Sequence, residues 1–93
     1  MLLDGPAIEA ALEARTVDYE DANGTWQRFY ASGRTLYNAG RDSWGYWAVR
    51  GDQYCSQWPP GDLWACYDFA VNGDRIRFIS DEGGITEGRY RRD

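Results

Sequence analysis

From residue 15 onward, apolar and polar side chains alternate in short runs. Val17 and Tyr19 fall on one side of the first run, with Thr16, Asp18 and Glu20 on the other. Leu63, Ala65, Tyr67, Phe69 and Val71 form an apolar row opposite Cys66 and Asp68, and Ile76 and Phe78 stand against Arg75 and Arg77. A period of two is that of a strand with one packed and one wetted face. Turn signals punctuate the runs at Asn23-Gly24, Ser32-Gly33, Ala39-Gly40, Gly51-Asp52, Pro60-Gly61, Asn72-Gly73 and Gly83-Gly84. This rhythm predicts an antiparallel meander of about eight strands, near 15–21, 25–31, 34–38, 44–50, 53–57, 64–71, 75–80 and 85–91.

Before residue 15 the period changes. In DGPAIEAALEA, Asp4 is placed to cap, Pro6 suits a first turn and Ala7 to Ala14 favour helix. Ile8 and Leu12, four apart, make one narrow apolar stripe. A helix over 5–14 is too short to persist alone, so it packs against the sheet. The predicted fold is mainly β: a small barrel or strongly coiled sheet, which removes exposed edges, with one N-terminal helix covering a face or plugging an end. Its 93 residues make a single domain, 1–93.

Residues 53–68, QYCSQWPPGDLWACYD, are nearly symmetric about Pro-Pro-Gly-Asp. Proline fixes φ there and marks a turn. Arms paired about that centre set Cys55 opposite Cys66 and Tyr54 opposite Tyr67. A cross-strand disulfide between Cys55 and Cys66 is therefore expected, in a chain whose small core needs a staple. Redox catalysis favours C-x-x-C at a helix start, which this spacing does not resemble. Trp58 and Trp64 flank the turn, and two roles compete for them: rings exposed at a binding tip, or rings closing one end of a barrel.

SWGYWAVRG sets Trp44, Tyr46 and Ala48 on one face and Gly45, Trp47 and Val49 on the other. Aromatics on both faces predict a strand covered on both sides or one with a side exposed for contact; core use is favoured, with Gly45 marking a bulge or a close approach. Arg50-Gly51-Asp52 reads as a tight turn. Asp18, Glu20 and Asp21 are the carboxylates a hydrolase would need, if two of them faced each other in a cleft. The tail GRYRRD reads as a solvated terminal strand.

Composition narrows the function. The chain carries net charge −5, which argues against a nucleic-acid binder. It has no histidine, the usual proton-transfer group near neutral pH and the commonest ligand of transition metals. All ten basic residues are arginine, as codon usage in a GC-rich genome produces. No metal, cofactor or catalytic residue is expected. No apolar run approaches the ~20 residues of a membrane helix. The start MLLDGPAIEA lacks a basic n-region and an apolar h-region, while the cysteines suit an oxidising compartment. A periplasmic or otherwise exported protein whose leader lies ahead of this segment reconciles the two.

Tyr37-x-x-Gly40, Gly45-x-Trp47, Tyr54-Cys55-x-x-Trp58 and a second cysteine after a turn, Cys66, resemble the pattern of a family of small exported proteobacterial proteins of undefined activity. The general plan also resembles small periplasmic β-barrel inhibitors of lysozyme, which present loops to an enzyme cleft. The expected function is a non-enzymatic binding module of the bacterial envelope, its contact surface formed by Tyr54, Trp58, Trp64 and Tyr67 of the 53–68 hairpin. Its partner would be an envelope protein or a glycan. The alternatives are a calycin-like carrier of a small ligand, which needs a void inside the barrel, and the carboxylate-dependent hydrolase. The many large aromatics predict a filled interior.

Overall fold

The computed structural model describes residues 1–21 and 23–92. One short helix precedes eight antiparallel strands: α1 (Gly5–Leu12), β1 (Arg15–Tyr19), β2 (Trp26–Phe29), β3 (Arg34–Asn38), β4 (Asp42–Arg50), β5 (Gln53–Gln57), β6 (Trp64–Asn72), β7 (Arg75–Ser80) and β8 (Ile85–Tyr90). Each strand pairs with the next, and β1 pairs with β8 through Val17↔Tyr90, Asp18↔Arg89 and Tyr19↔Gly88. The sheet is thus a closed up-and-down barrel without a free edge.

Inside, alternate residues of each strand converge. Val17, Phe29, Trp47, Tyr54, Phe69, Ile76 and Phe78 make the core together with Ile8 and Leu12 of α1. Phe29 packs edge-on against both Trp47 and Tyr54, with centroids 5.7 and 5.6 Å away. Edge-to-face contacts of this kind add to the burial of the rings.

α1 closes one end of the barrel. The Asp4 carboxylate accepts from Ala7 N at 3.0 Å, so the cap expected from sequence forms. Asp52, in the β4–β5 turn, accepts from Gly5 N at 2.8 Å and ties the helix to the barrel. That use of Asp52 explains the Arg50-Gly51-Asp52 tripeptide: Gly51 takes φ +58°, a turn position, and the carboxylate seats the helix. Ile8 and Leu12 are completely buried beneath it. The helix stops at Leu12, two residues short of the sequence estimate, because Ala14 turns left-handed (φ 60°) and its N–H bonds Phe29 O at 2.8 Å.

Two face assignments change. Trp44 and Tyr46 are 44 % exposed on the outer wall, so core use holds only for Trp47 of that run. The lumen admits the Gly45, Trp47, Val49 side of β4, and the other side meets solvent. There Trp44 stacks on Tyr30 at 5.8 Å beneath the Arg34 guanidinium. Leu63 does not open the apolar row of β6. The β5–β6 ladder ends at Gln57↔Trp64, which leaves Leu63 in the loop and 85 % exposed.

Arginine is used on this outer wall throughout. Arg50 lies 4.5 Å over Trp64 and Arg91 lies 5.3 Å over Trp26. Arg75 pairs with Glu20 at 2.9 Å, and Arg91, in the tail, pairs with Asp18 at 2.6 Å. A planar guanidinium serves stacking and bidentate pairing in a way an ammonium does not.

Candidate functional site

The end opposite α1 is open. Its loops are the β1–β2, β3–β4, β5–β6 and β7–β8 connections, and they surround a cavity of about 720 Å3. The interior is therefore filled only in its helix-proximal half, which corrects the expectation of a filled barrel. The core rings pack in the lower layers, and Tyr19, Tyr37, Trp58 and Tyr67 line the cavity above them. The walls of the upper half are Tyr19, Tyr37, Trp58 and Tyr67, and its floor includes Gln27, Tyr54, Ser56 and Phe78.

The position of Trp58 makes this cup. The residue follows β5 in the hairpin loop, and its ring folds back into the mouth over Gly45. A Cβ built on Gly45 would stand 2.5 Å from Trp58 Cε3, so the glycine leaves the space that the indole fills. The β3–β4 register runs unbroken from Arg34↔Tyr46 through Thr35↔Gly45 to Asn38↔Asp42. Gly45 is thus a close-approach glycine and not a bulge. Trp58 Nε1 donates to Ser56 Oγ at 3.2 Å, and Tyr37 meets the indole at 70° with centroids 5.9 Å apart.

Gln27 organises the floor. Its Oε1 accepts from the Tyr19 hydroxyl at 2.5 Å, while its Nε2 donates to Thr35 Oγ1 at 2.9 Å and to the Tyr54 hydroxyl at 3.2 Å. Thr35 passes the chain on by donating to Arg28 O at 2.8 Å. Among the described residues no buried side-chain nitrogen or oxygen lacks a partner. Burial pushes the Tyr54 phenol up to about 12, and burial raises the Tyr19 phenol well above its ordinary value, assisted by the neighbouring phenols. Both groups keep their protons at neutral pH; the Tyr19 hydroxyl donates to Gln27, and the Tyr54 hydroxyl accepts from it.

The four binding residues expected from the hairpin divide between two surfaces. Tyr54, Trp58 and Tyr67 enter the cup. Trp64 lies across the wall, opposite Gln57 and under Arg50, and takes no part in it. The two competing roles of the tryptophans thus separate: Trp58 lines one end of the barrel, and Trp64 covers its side. The paired Cys55 and Cys66 form a disulfide on the outer face, with Cα atoms 4.0 Å apart, and join β5 to β6 directly behind the cup. Tyr19, Gln27 and Tyr37 were not singled out from the sequence. Alternation places Tyr19 and Tyr37 inward, but only the closed barrel brings β1, β2 and β3 to face the hairpin.

Of the carboxylates near the cup, Glu20, Asp21 and Glu87 line it. Asp18 turns outward to Arg91, and Glu20 and Glu87 reach the rim while held from outside by Arg75, Arg77 and Arg89 at 2.9 to 3.5 Å. Asp21 is an exposed loop residue; the Thr25 hydroxyl and the Asn23 N–H hold its carboxyl below the usual range. Among the described residues no group of three or more Cys, Asp or Glu side chains gathers to hold a metal ion. Among the described residues no helix is long and apolar enough to cross a membrane.

Comparison with known proteins adds no relative: no family model, no curated protein and no solved structure matches this chain.

Proposed function

We propose that this protein is a non-enzymatic binding module that holds a small ligand in the mouth of its barrel. The observation that carries the reading is the half-filled interior: about 720 Å3 of open cup, walled by rings and floored by a hydrogen-bonded network. Concave, largely preformed sites with an apolar wall and a few placed polar groups are the usual form of small-molecule sites. Binding is favoured over catalysis because the phenols of the floor stay protonated and the rim carboxylates Glu20 and Glu87 are engaged by arginine. The hairpin surface read from the sequence contributes three of its four residues from the inside. An exported, periplasmic setting belongs to the same reading, together with membership of the small exported family that the chain resembles. Its support is the Cys55–Cys66 disulfide, a bond that persists in oxidising compartments.

A fragment screen on the oxidised protein, followed by NMR, tests this. Ligands should move the Trp58 indole and the ring signals of Tyr19, Tyr37 and Tyr67, and leave Trp64 in place. Shifts confined to Trp64 and Tyr46 would overturn the cup. They would favour a second reading, in which the outer hairpin wall and the exposed Leu63 contact an envelope protein or a glycan.

A further inference from the structure

We propose that the cup selects an organic cation, an amine or quaternary ammonium carried on a small apolar body. This rests on the mouth being a ligand site and adds the class of ligand.

The polar atoms of the cup's floor are already bonded to one another. Gln27 is shared among Tyr19, Thr35 and Tyr54, and Ser56 is bonded by Trp58. A ligand recognised through many hydroxyls, such as a sugar, would have to break these bonds. Beside the hydroxyls of Tyr37, Tyr67, Ser43 and Thr86, what the cup offers is ring surface. Consecutive wall rings are turned by 48° from Tyr19 to Tyr37 and by 70° from Tyr37 to Trp58, with centroids 6.1 and 5.9 Å apart. The first pair is tilted and the second meets edge to face, and all three rings line the one cavity. An aromatic face carries negative quadrupole potential and attracts a cation, most strongly for indole.

Charge around the mouth has the same sign. The charged residues lining the cavity are Glu20, Asp21 and Glu87, and among the described residues no arginine lines it. The chain contains no lysine or histidine to supply a cation from elsewhere. The loops at this end add Asp62, Asp81 and Glu82, against Arg41 alone. Arginines on the outer wall offset Glu20 and Glu87, so the acidic attraction at the mouth comes from Asp21 with the loop residues Asp62, Asp81 and Glu82, and the rings hold the cation. The same rim repels an anion.

The test titrates the oxidised full chain with three compounds of one shape class: benzyltrimethylammonium, its uncharged carbon isostere neopentylbenzene, and the anion benzenesulfonate. The Trp58 indole and the ring signals of Tyr19, Tyr37 and Tyr67 report occupancy. The cation should bind at least roughly tenfold more tightly than the isostere, the range cation–π contacts produce in a desolvated cage, and benzenesulfonate should leave the signals unmoved. Tyr37→Leu and Trp58→Leu should reduce that ratio, and Trp64→Leu should not. If either cup variant fails to fold, the comparison of the three compounds on the unaltered chain still decides. Equal or tighter binding of neopentylbenzene, or binding of benzenesulfonate, overturns the cation while leaving the cup as a ligand site. Silence of the cup signals to all three compounds also overturns it, and the fragment screen then judges the cup itself.

Discussion

The Trp58 indole occupies the space that any side chain on Gly45 would need, with Cε3 2.5 Å from the site of a Cβ and Gln57 O 2.7 Å from it. One neighbour is a side chain that can swing away, and the other is backbone that cannot. Gly45→Ala should therefore push Trp58 out of the mouth and cost about 1–3 kcal/mol, the range for inserting a methyl into a packed site. The Trp58 indole N–H, now bonded to Ser56, should become solvent-exposed, read by NMR with a soluble paramagnetic quencher. A variant whose indole stays protected would show that the glycine is not what admits the ring.

Closing the short loop between Cys55 and Cys66, which are 11 positions apart, should stabilise the fold by about 3 kcal/mol in the chain-entropy treatment. The Cys55→Ala, Cys66→Ala double variant should lose that amount in urea unfolding, with the slope of the transition raised by a more open denatured chain. Equal midpoints would mean that the β5–β6 hairpin is held by its ladder and buried rings alone.

Stability should fall in alkali. The Tyr54 and Tyr19 phenols resist ionisation in the folded protein and ionise near their ordinary value of about 10 once unfolded. Their stabilising contribution is complete below about pH 10. For Tyr54 it then declines by about 1.4 kcal/mol per pH unit and is exhausted near its folded value of about 12. Phenolate absorbance should show these two groups titrating late and together with unfolding, and Tyr54→Phe should flatten the decline. Early ionisation of every tyrosine would contradict the buried network.

The helix plug depends on a missing side chain as well. A Cβ on Gly5 would collide with Gly51 O, a backbone atom that cannot swing aside. Gly5→Ala should lift α1 from the barrel end, lower stability by roughly 1–3 kcal/mol and speed amide exchange in α1. Asp52→Ala, which removes the acceptor for Gly5 N, should cost about 1–2 kcal/mol without a clash. Unchanged amide exchange in α1 of Gly5→Ala would show that the close approach of Gly5 to Gly51 is not what seats the helix.

Local chemistry is what the sequence by itself determined. The eight strands follow from a period of two broken by turn residues, and the helix follows from Asp4, Pro6 and the Ile8, Leu12 stripe, because each depends on neighbours a few positions away. The mirrored hairpin specified its own register, so the Cys55–Cys66 bond and the Tyr54↔Tyr67 pairing were legible. Even the outward direction of Trp64 was available, since it shares the parity of Cys66. Closure decided the rest. Whether the lumen is filled depends on how rings from β1, β2, β3, β5 and β6 share one layer, and no local pattern sums their volumes. Trp58 lies beyond the end of β5, where alternation no longer directs a side chain. It turns inward because Gly45, thirteen positions earlier in the chain and on a neighbouring strand of the barrel, leaves it room.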